Sequence, residues 1–297
     1  MFLLNRSHLF SSIIFHIALL VSLLGVICSC GTPTVHRNTV KNPGVNPSST
    51  GTDNSASDDA NPIEQSNCDS KENSCGNGGA LGLVESRFSS TQGVASDYKI
   101  DVPQDISLEK SYGLMIYIHG DGAADYNWFF SDFSKVAKEQ NLIPLAVKAP
   151  SSDNWSKEPE EKAVYLNQLL QSEIFKKYNI KKSDIYFVGV SSGQSFLTGT
   201  FIRLMGSTVD VYNGGAILLC GGMGDATQSL AGADFKQFPL YFKTGTQDFM
   251  LEKTKEAVKY YSSQGVKVIT DYPEGIGHCR YPLNEAISYG VTQLLQM

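Results

Sequence analysis

The amino-acid sequence predicts an α/β domain built on a mostly parallel, doubly wound sheet flanked by helices, and two observations carry that expectation. From about Leu81 onward, short and nearly continuous apolar runs recur, and the stretches between them place apolar residues at helical spacing. Strands that are apolar on both faces belong in a parallel sheet covered by helices on both sides. In chain order the runs are Gly113 to Ile118, Leu142 to Val147, Ile185 to Val190, Ala216 to Leu219, Pro239 to Phe242 and Val266 to Thr270. Ser96 to Val102 reads as an extra strand ahead of them. Between the runs, Phe129, Phe133, Val136 and Ala137 share one helical face, and so do Leu197, Phe201, Leu204 and Met205. The stretch from Cys220 to Pro239 is short, which leaves no room for a large cap domain.

The N-terminal part has a different character. Arg6 precedes an apolar run from Ile13 to Ile27 that is short for a membrane span, the pattern of a signal peptide over residues 1–29. The end of this run, Ile27-Cys28-Ser29-Cys30, resembles a bacterial lipobox, with an aliphatic residue three before Cys30 and a small one just before it. Cys28 fits badly, because bulky Ile27 precedes it. The resemblance implies that Cys30 becomes a lipidated N-terminus, anchoring an exported protein at the cell membrane or outer membrane. An ordinary secretory signal, giving a periplasmic or secreted protein, and an uncleaved anchor are the alternatives. Residues 31–80 are dominated by Asn, Ser, Gly, Thr, Asp and Pro and contain no Phe, Trp or Tyr. Such a segment cannot bury enough apolar surface to offset its ordering entropy, so a flexible polar tether is expected over residues 30–80 and the folded α/β domain over 81–297.

Charge and cysteine usage narrow the function classes. The net charge is -6 and the two signs are interspersed, so no basic stripe is available to follow a nucleic-acid backbone, and nucleic acid is excluded as a partner. Beyond Cys30 the chain has Cys68, Cys75, Cys220 and Cys279, an even number that suits an oxidising compartment. Three pairings are possible. Cys68 with Cys75 is favoured by closeness in sequence, which leaves Cys220 with Cys279, residues the fold brings near each other; two unpaired buried thiols are the alternative. A bridge from Cys220 to Cys279 would close a long loop and contribute about 4 kcal/mol on the chain-entropy account.

The chemistry is concentrated in a few motifs. The run Asp184 to Val190 leads directly into Gly189-Val190-Ser191-Ser192-Gly193 and then into a helical pattern, the setting that a nucleophile elbow requires. The serine sits on a tight turn whose flanking glycines let strand and helix approach, and the helix N-terminus favours developing negative charge. A serine nucleophile needs a base, and histidine suits proton transfer near neutral pH. His8 and His16 lie in the signal and His36 in the tether, leaving His119 and His278. His278 lies in the glycine-rich Gly275-Ile276-Gly277-His278-Cys279 between the last strand and last helix and is the candidate base, with a structural histidine as the plainer role. Asp248, in the turn Thr244-Gly245-Thr246-Gln247-Asp248, is the acid that would orient it, with Asp225 and Glu274 as rivals. The oxyanion would be held by backbone N–H groups of Ser192 and of Asp121 or Gly122 in the loop after His119.

These residues carry a resemblance. Tyr98-Lys99-Ile100-Asp101-Val102-Pro103, an apolar strand ending in His119-Gly120, the Ser191 elbow, the Asp248 turn and the His278 loop resemble the α/β-hydrolases, in particular their polyhydroxybutyrate-depolymerase-like and feruloyl-esterase-like branch. The resemblance covers about residue 85 to the end. It implies hydrolysis of carboxylic esters, small or polymeric, by two-step acyl transfer without a metal or organic cofactor. Asp121 departs from the small residues usual in that oxyanion loop. Trp155, Phe249, Met250, Met223 and Tyr281 are the candidates to shape the pocket, and Arg280 to meet an acidic group, with ordinary packing or an exposed ion pair as the plainer roles. A serine peptidase or thioesterase on the same triad, and an inactive surface-binding lipoprotein, are the competing functions.

Overall fold

A computed structural model describes residues 68–122, 124–151, 153–223 and 237–297. Alternation of side chains folds Gly82–Ser89 (β1) and Ala95–Val102 (β2) into an antiparallel hairpin, with Tyr98, Ile100 and Val102 turned into the core. The apolar runs form Tyr112–Ile118 (β3), Leu142–Val147 (β4), Ile180–Val190 (β5), Gly214–Leu219 (β6), Leu240–Lys243 (β7) and Val268–Asp271 (β8). The eight strands make one sheet in the order β1-β2-β4-β3-β5-β6-β7-β8. Strand β2 is antiparallel to both neighbours, and from β4 to β8 every pair is parallel.

Both faces of the parallel part are buried, as its uninterrupted apolar runs require. Along β3, Leu114, Ile116 and Ile118 join the core on one face while Met115 and Tyr117 join the core on the other. The first face packs on Pro159–Leu169 (α3), which continues through a π segment, Leu170–Ile174, into Phe175–Lys177. It also packs on Ser192–Phe196, the π segment Leu197–Phe201 and Ile202–Leu204, where the predicted apolar stripe of Leu197, Phe201, Leu204 and Met205 is buried. The second face is covered by Ala124–Trp128 (α1), Phe130–Glu139 (α2) and Leu283–Leu295 (α5), with Phe129, Phe133, Val136 and Ala137 buried as the periodicity predicts. Leu251–Ser263 (α4) completes the set and contributes Ala257 and Tyr261 to the first core. Among the described residues no helix is long and apolar enough to cross a membrane.

Three features differ from the sequence reading. Strand β1 was not foreseen, because Glu85 and Arg87 on its outer face leave no continuous apolar run. Strand β5 begins at Ile180, ahead of the apolar run, through the polar Lys181-Lys182-Ser183. The expected tether, 30–80, overlaps the fold. Residues 68–80 are built onto the start of β5, where the Ser74 N–H donates to the Ile180 carbonyl at 2.9 Å and the Ile180 N–H to Ser74 Oγ at 2.7 Å. Lys182 N–H donates to the Glu72 carbonyl at 2.8 Å, and Cys68 and Cys75 form a disulfide with Cα atoms 5.8 Å apart. The buried amide of Asn179 ties this segment down: its Nδ2 donates to the carbonyls of Ser107 and Leu108 at 2.8 and 3.0 Å, and its Oδ1 accepts the Cys75 N–H at 3.3 Å. Hydrogen bonds and a disulfide do here what apolar burial does elsewhere, which is why hydropathy did not reveal it. The signal peptide, Cys30 and the tether up to residue 67 lie outside the described residues, as do most of the residues between Cys220 and Pro239, including the rival acid Asp225.

Asn179→Ala is expected to lower stability by about 1–3 kcal/mol, the cost of orphaning buried backbone groups. A fall in the urea midpoint with unchanged slope is the measurement that checks it.

Candidate active site

Strand β5 ends in the turn that carries Ser191, whose backbone sits at φ 51 and ψ -115. A non-glycine residue holds such a conformation only when its surroundings over-determine it. They do so here. The Ser191 N–H donates to the Leu219 carbonyl at 2.9 Å, and the Ser191 carbonyl accepts the Ser195 N–H at 3.1 Å. A Cβ at Gly189 would press on the Gln194 backbone at 2.8 Å, and one at Gly193 would collide with the Ile118 carbonyl. Both glycines of the pentapeptide are therefore needed for the close approach of β5, β3 and the following helix.

The other two residues arrive on loops at the same end of the sheet. Asp248 follows β7 and its side chain is fully buried. His278 lies in the loop after β8. The Asp248 carboxylate faces His278 Nδ1 with both oxygens, at 2.9 and 3.1 Å, and His278 Nε2 stands 3.1 Å from Ser191 Oγ. A carboxylate only accepts, so Nδ1 carries the proton and Nε2 is left to accept the Ser191 hydroxyl. The loops are locked together. Gln247 N–H donates to the Ile276 carbonyl at 2.9 Å, and a Cβ at Gly245 would collide with that carbonyl. Cys220 at the end of β6 and Cys279 next to His278 form the second disulfide, Cα to Cα 5.3 Å, so the pairing favoured by the sequence is the one in the structure. Tyr281 donates its hydroxyl to the Lys243 carbonyl at 2.8 Å; burial first, then the carboxylates of Asp248 and Asp271, push its phenol up from the usual range. Glu274, the rival acid within the described residues, is exposed.

The loop after β3 is organised by His119. The Ala149 N–H donates to His119 Nε2 at 2.9 Å, which leaves the proton on Nδ1, where it is donated to the Gly120 carbonyl at 2.6 Å. His119 is thus a fully buried neutral histidine that fixes the peptide between Gly120 and Asp121. Gly122 is corrected as an oxyanion donor: its N–H is already donated to the Asp153 carbonyl at 2.8 Å. Trp155 is likewise corrected as a pocket residue. It is fully buried, with its ring 5.8 Å from His119 and 4.9 Å from Phe196, and supports the loop from beneath. Tyr281 and Met223 pack against the core, Arg280 is exposed, and Phe249 lies against His278 in solvent. Among the described residues no group of His, Cys, Asp and Glu could hold a metal ion.

No protein-family model and no curated protein sequence matches the chain. Solved structures do. The chain is similar to a thermostable esterase at 22% identity and TM-score 0.57, over 71% of this chain and 62% of that one. It is similar to a feruloyl esterase module from Clostridium thermocellum complexed with sinapinate, at 14% identity and TM-score 0.51, over 73% and 91%. It is similar to a substrate-bound fluorophosphonate-binding serine hydrolase from Staphylococcus aureus, at 17% identity and TM-score 0.54, over 73% and 99%. This is the α/β-hydrolase fold. Ser191 follows β5, Asp248 follows β7 and His278 follows β8, the chain order serine, acid, histidine known for α/β-hydrolases. The chain spans 62% of the length of the thermostable esterase, so it has the fold of that esterase over a part of it.

Gly193→Ala is expected to destabilise the α/β-hydrolase domain by about 1–3 kcal/mol, because strand β3 must move to admit the methyl group. Thermal unfolding checks this against Gly122→Ala, where the Cβ would meet open space and only the positive φ is strained.

Proposed function

We propose that the protein is an exported, membrane-tethered serine hydrolase that cleaves carboxylic esters through an acyl-enzyme on Ser191. The observation that carries this reading is the hydrogen-bonded series from Asp248 through His278 to Ser191 Oγ at the tip of a strained elbow. His278 Nε2 takes the Ser191 proton as the oxygen attacks the ester carbonyl, and the buried Asp248 carboxylate stabilises the imidazolium that forms. Nε2 then gives the proton to the departing alcohol, and a water activated in the same way releases the acid.

The negative charge of the tetrahedral intermediate falls to backbone donors. Ser192 N–H follows the nucleophile directly. In a trans peptide the C=O and the following N–H point in opposite directions, so His119, by holding the Gly120 carbonyl, aims the Asp121 N–H away from itself. With Gly122 engaged by Asp153, Asp121 is the loop's donor. Esterase and serine-hydrolase neighbours support the ester as substrate, small or polymeric, and two disulfides support an oxidising compartment. The lipobox-like sequence ending at Cys30 supports the lipid anchor, and no cofactor is required by the reaction.

The purified protein is expected to hydrolyse p-nitrophenyl acyl esters, and Ser191→Ala to lower kcat at least about 10³-fold. Equal rates for the two proteins would overturn the reading. Cys30→Ser is expected to move the protein from the membrane to the soluble fraction on cell fractionation, and persistent association would point to an uncleaved anchor.

A further inference from the structure

Asp248 is buried, yet Phe249, the residue after it, is 76% exposed, the most exposed of the large hydrophobic side chains among the described residues. Its ring is not loose in solvent. The centroid lies 4.4 Å from that of the His278 imidazole, with the two planes inclined by 36°. The backbone on either side is pinned: the Asp248 N–H donates to the Gly245 carbonyl at 3.1 Å, the Met250 N–H to Asp248 Oδ1 at 2.8 Å, and the Leu251 N–H to the Asp248 carbonyl at 3.0 Å. The same turn is fastened to the His278 loop through Gln247 and Ile276. A rigidly presented aromatic ring in water is a surface that gains by being covered.

What would cover it follows from the direction of proton transfer. His278 Nε2 hands its proton to the oxygen of the departing alcohol, so that alcohol must lie beside the imidazole, whereas the carbonyl oxygen lies toward Ser192 and Asp121. The ring that flanks the imidazole therefore meets the alcohol part of the ester and not the acyl part. We infer that Phe249 is a specificity-determining residue for the leaving group, and that it favours esters of aryl or other flat apolar alcohols. The inference rests on the ester-hydrolase reading and adds the side of the substrate that is read.

Phenyl butyrate and methyl butyrate share one acyl-enzyme and differ only in the alcohol, so they separate the two parts of the reaction. In Phe249→Ala the ratio of kcat/KM for the phenyl over the methyl ester is expected to fall about three- to tenfold, and in Phe249→Tyr, which keeps the ring, to stay near that of the native protein. The loss should fall on acylation, which involves the alcohol, more than on breakdown of the butyryl-enzyme, from which the alcohol has gone. An unchanged ratio in Phe249→Ala would overturn the inference. So would an equal loss for both esters with an equally slowed breakdown of the butyryl-enzyme, which would make Phe249 a positioning residue acting through His278. If the native protein hydrolysed neither ester, the ester reading itself would fail and the inference with it.

Discussion

The turn at Ser191 is the constraint on which the end of the sheet that carries Ser191, Asp248 and His278 is built. A residue held at φ 51 and ψ -115 between a buried strand and a helix has no intrinsic preference for that geometry. It is maintained by contacts from three directions. Leu219 at the end of β6 takes the Ser191 N–H, the helix returns the Ser195 N–H to the Ser191 carbonyl, and β3 lies so close that Gly193 has no room for a methyl group. Gly221 repeats the pattern from the β6 side, where a Cβ would collide with the Ser191 carbonyl, and its N–H donates to the buried Gln194 amide at 2.8 Å. The parallel sheet is what brings these carbonyls and glycines to one edge.

The other loops of that edge are then held relative to the elbow by a small number of connections. Cys220 and Cys279 both occupy the left-handed region, at φ 48 and φ 51, and their disulfide joins the end of β6 to the residue after His278. Thr246 and Gln247 donate to the carbonyls of Pro273 and Ile276 at 3.0 and 2.9 Å, so the loops of Asp248 and His278 are cross-linked along their backbones. The imidazole is thus fixed by its loop as well as by the carboxylate. Preorganisation of this kind would let the proposed series of Asp248, His278 and Ser191 act without reorganising during a reaction. At the other end of the strands, at the start of β5, a disulfide-closed segment and the amide of Asn179 close the structure.

Much of this could be read from the sequence, and the reasons are specific. That Ser191, His278 and Asp248 come together was legible because few residue types can form such a series and because only two histidines lie beyond the polar N-terminal region. The sheet was legible because β3 to β7 are apolar on both faces. What escaped depends on partners that local sequence does not encode. Its place in the loop after His119 suggests an oxyanion role for Gly122, but its N–H is claimed by a carbonyl thirty-one positions away on another loop, at Asp153. Trp155 lies near a strand end, and nothing in its neighbours indicates that it turns under His119 into the core. Residues 68–80 are polar and held by hydrogen bonds, a signal that hydropathy does not register.

In the proposed mechanism His278 makes Ser191 a nucleophile. Its most direct measurement is peptide mapping by mass spectrometry after reaction with a fluorophosphonate, in the native protein and in His278→Ala. A single phosphonyl adduct on Ser191 is expected, forming rapidly in the native protein and nearly abolished without the imidazole. An adduct on another residue, or none on folded protein, would contradict it.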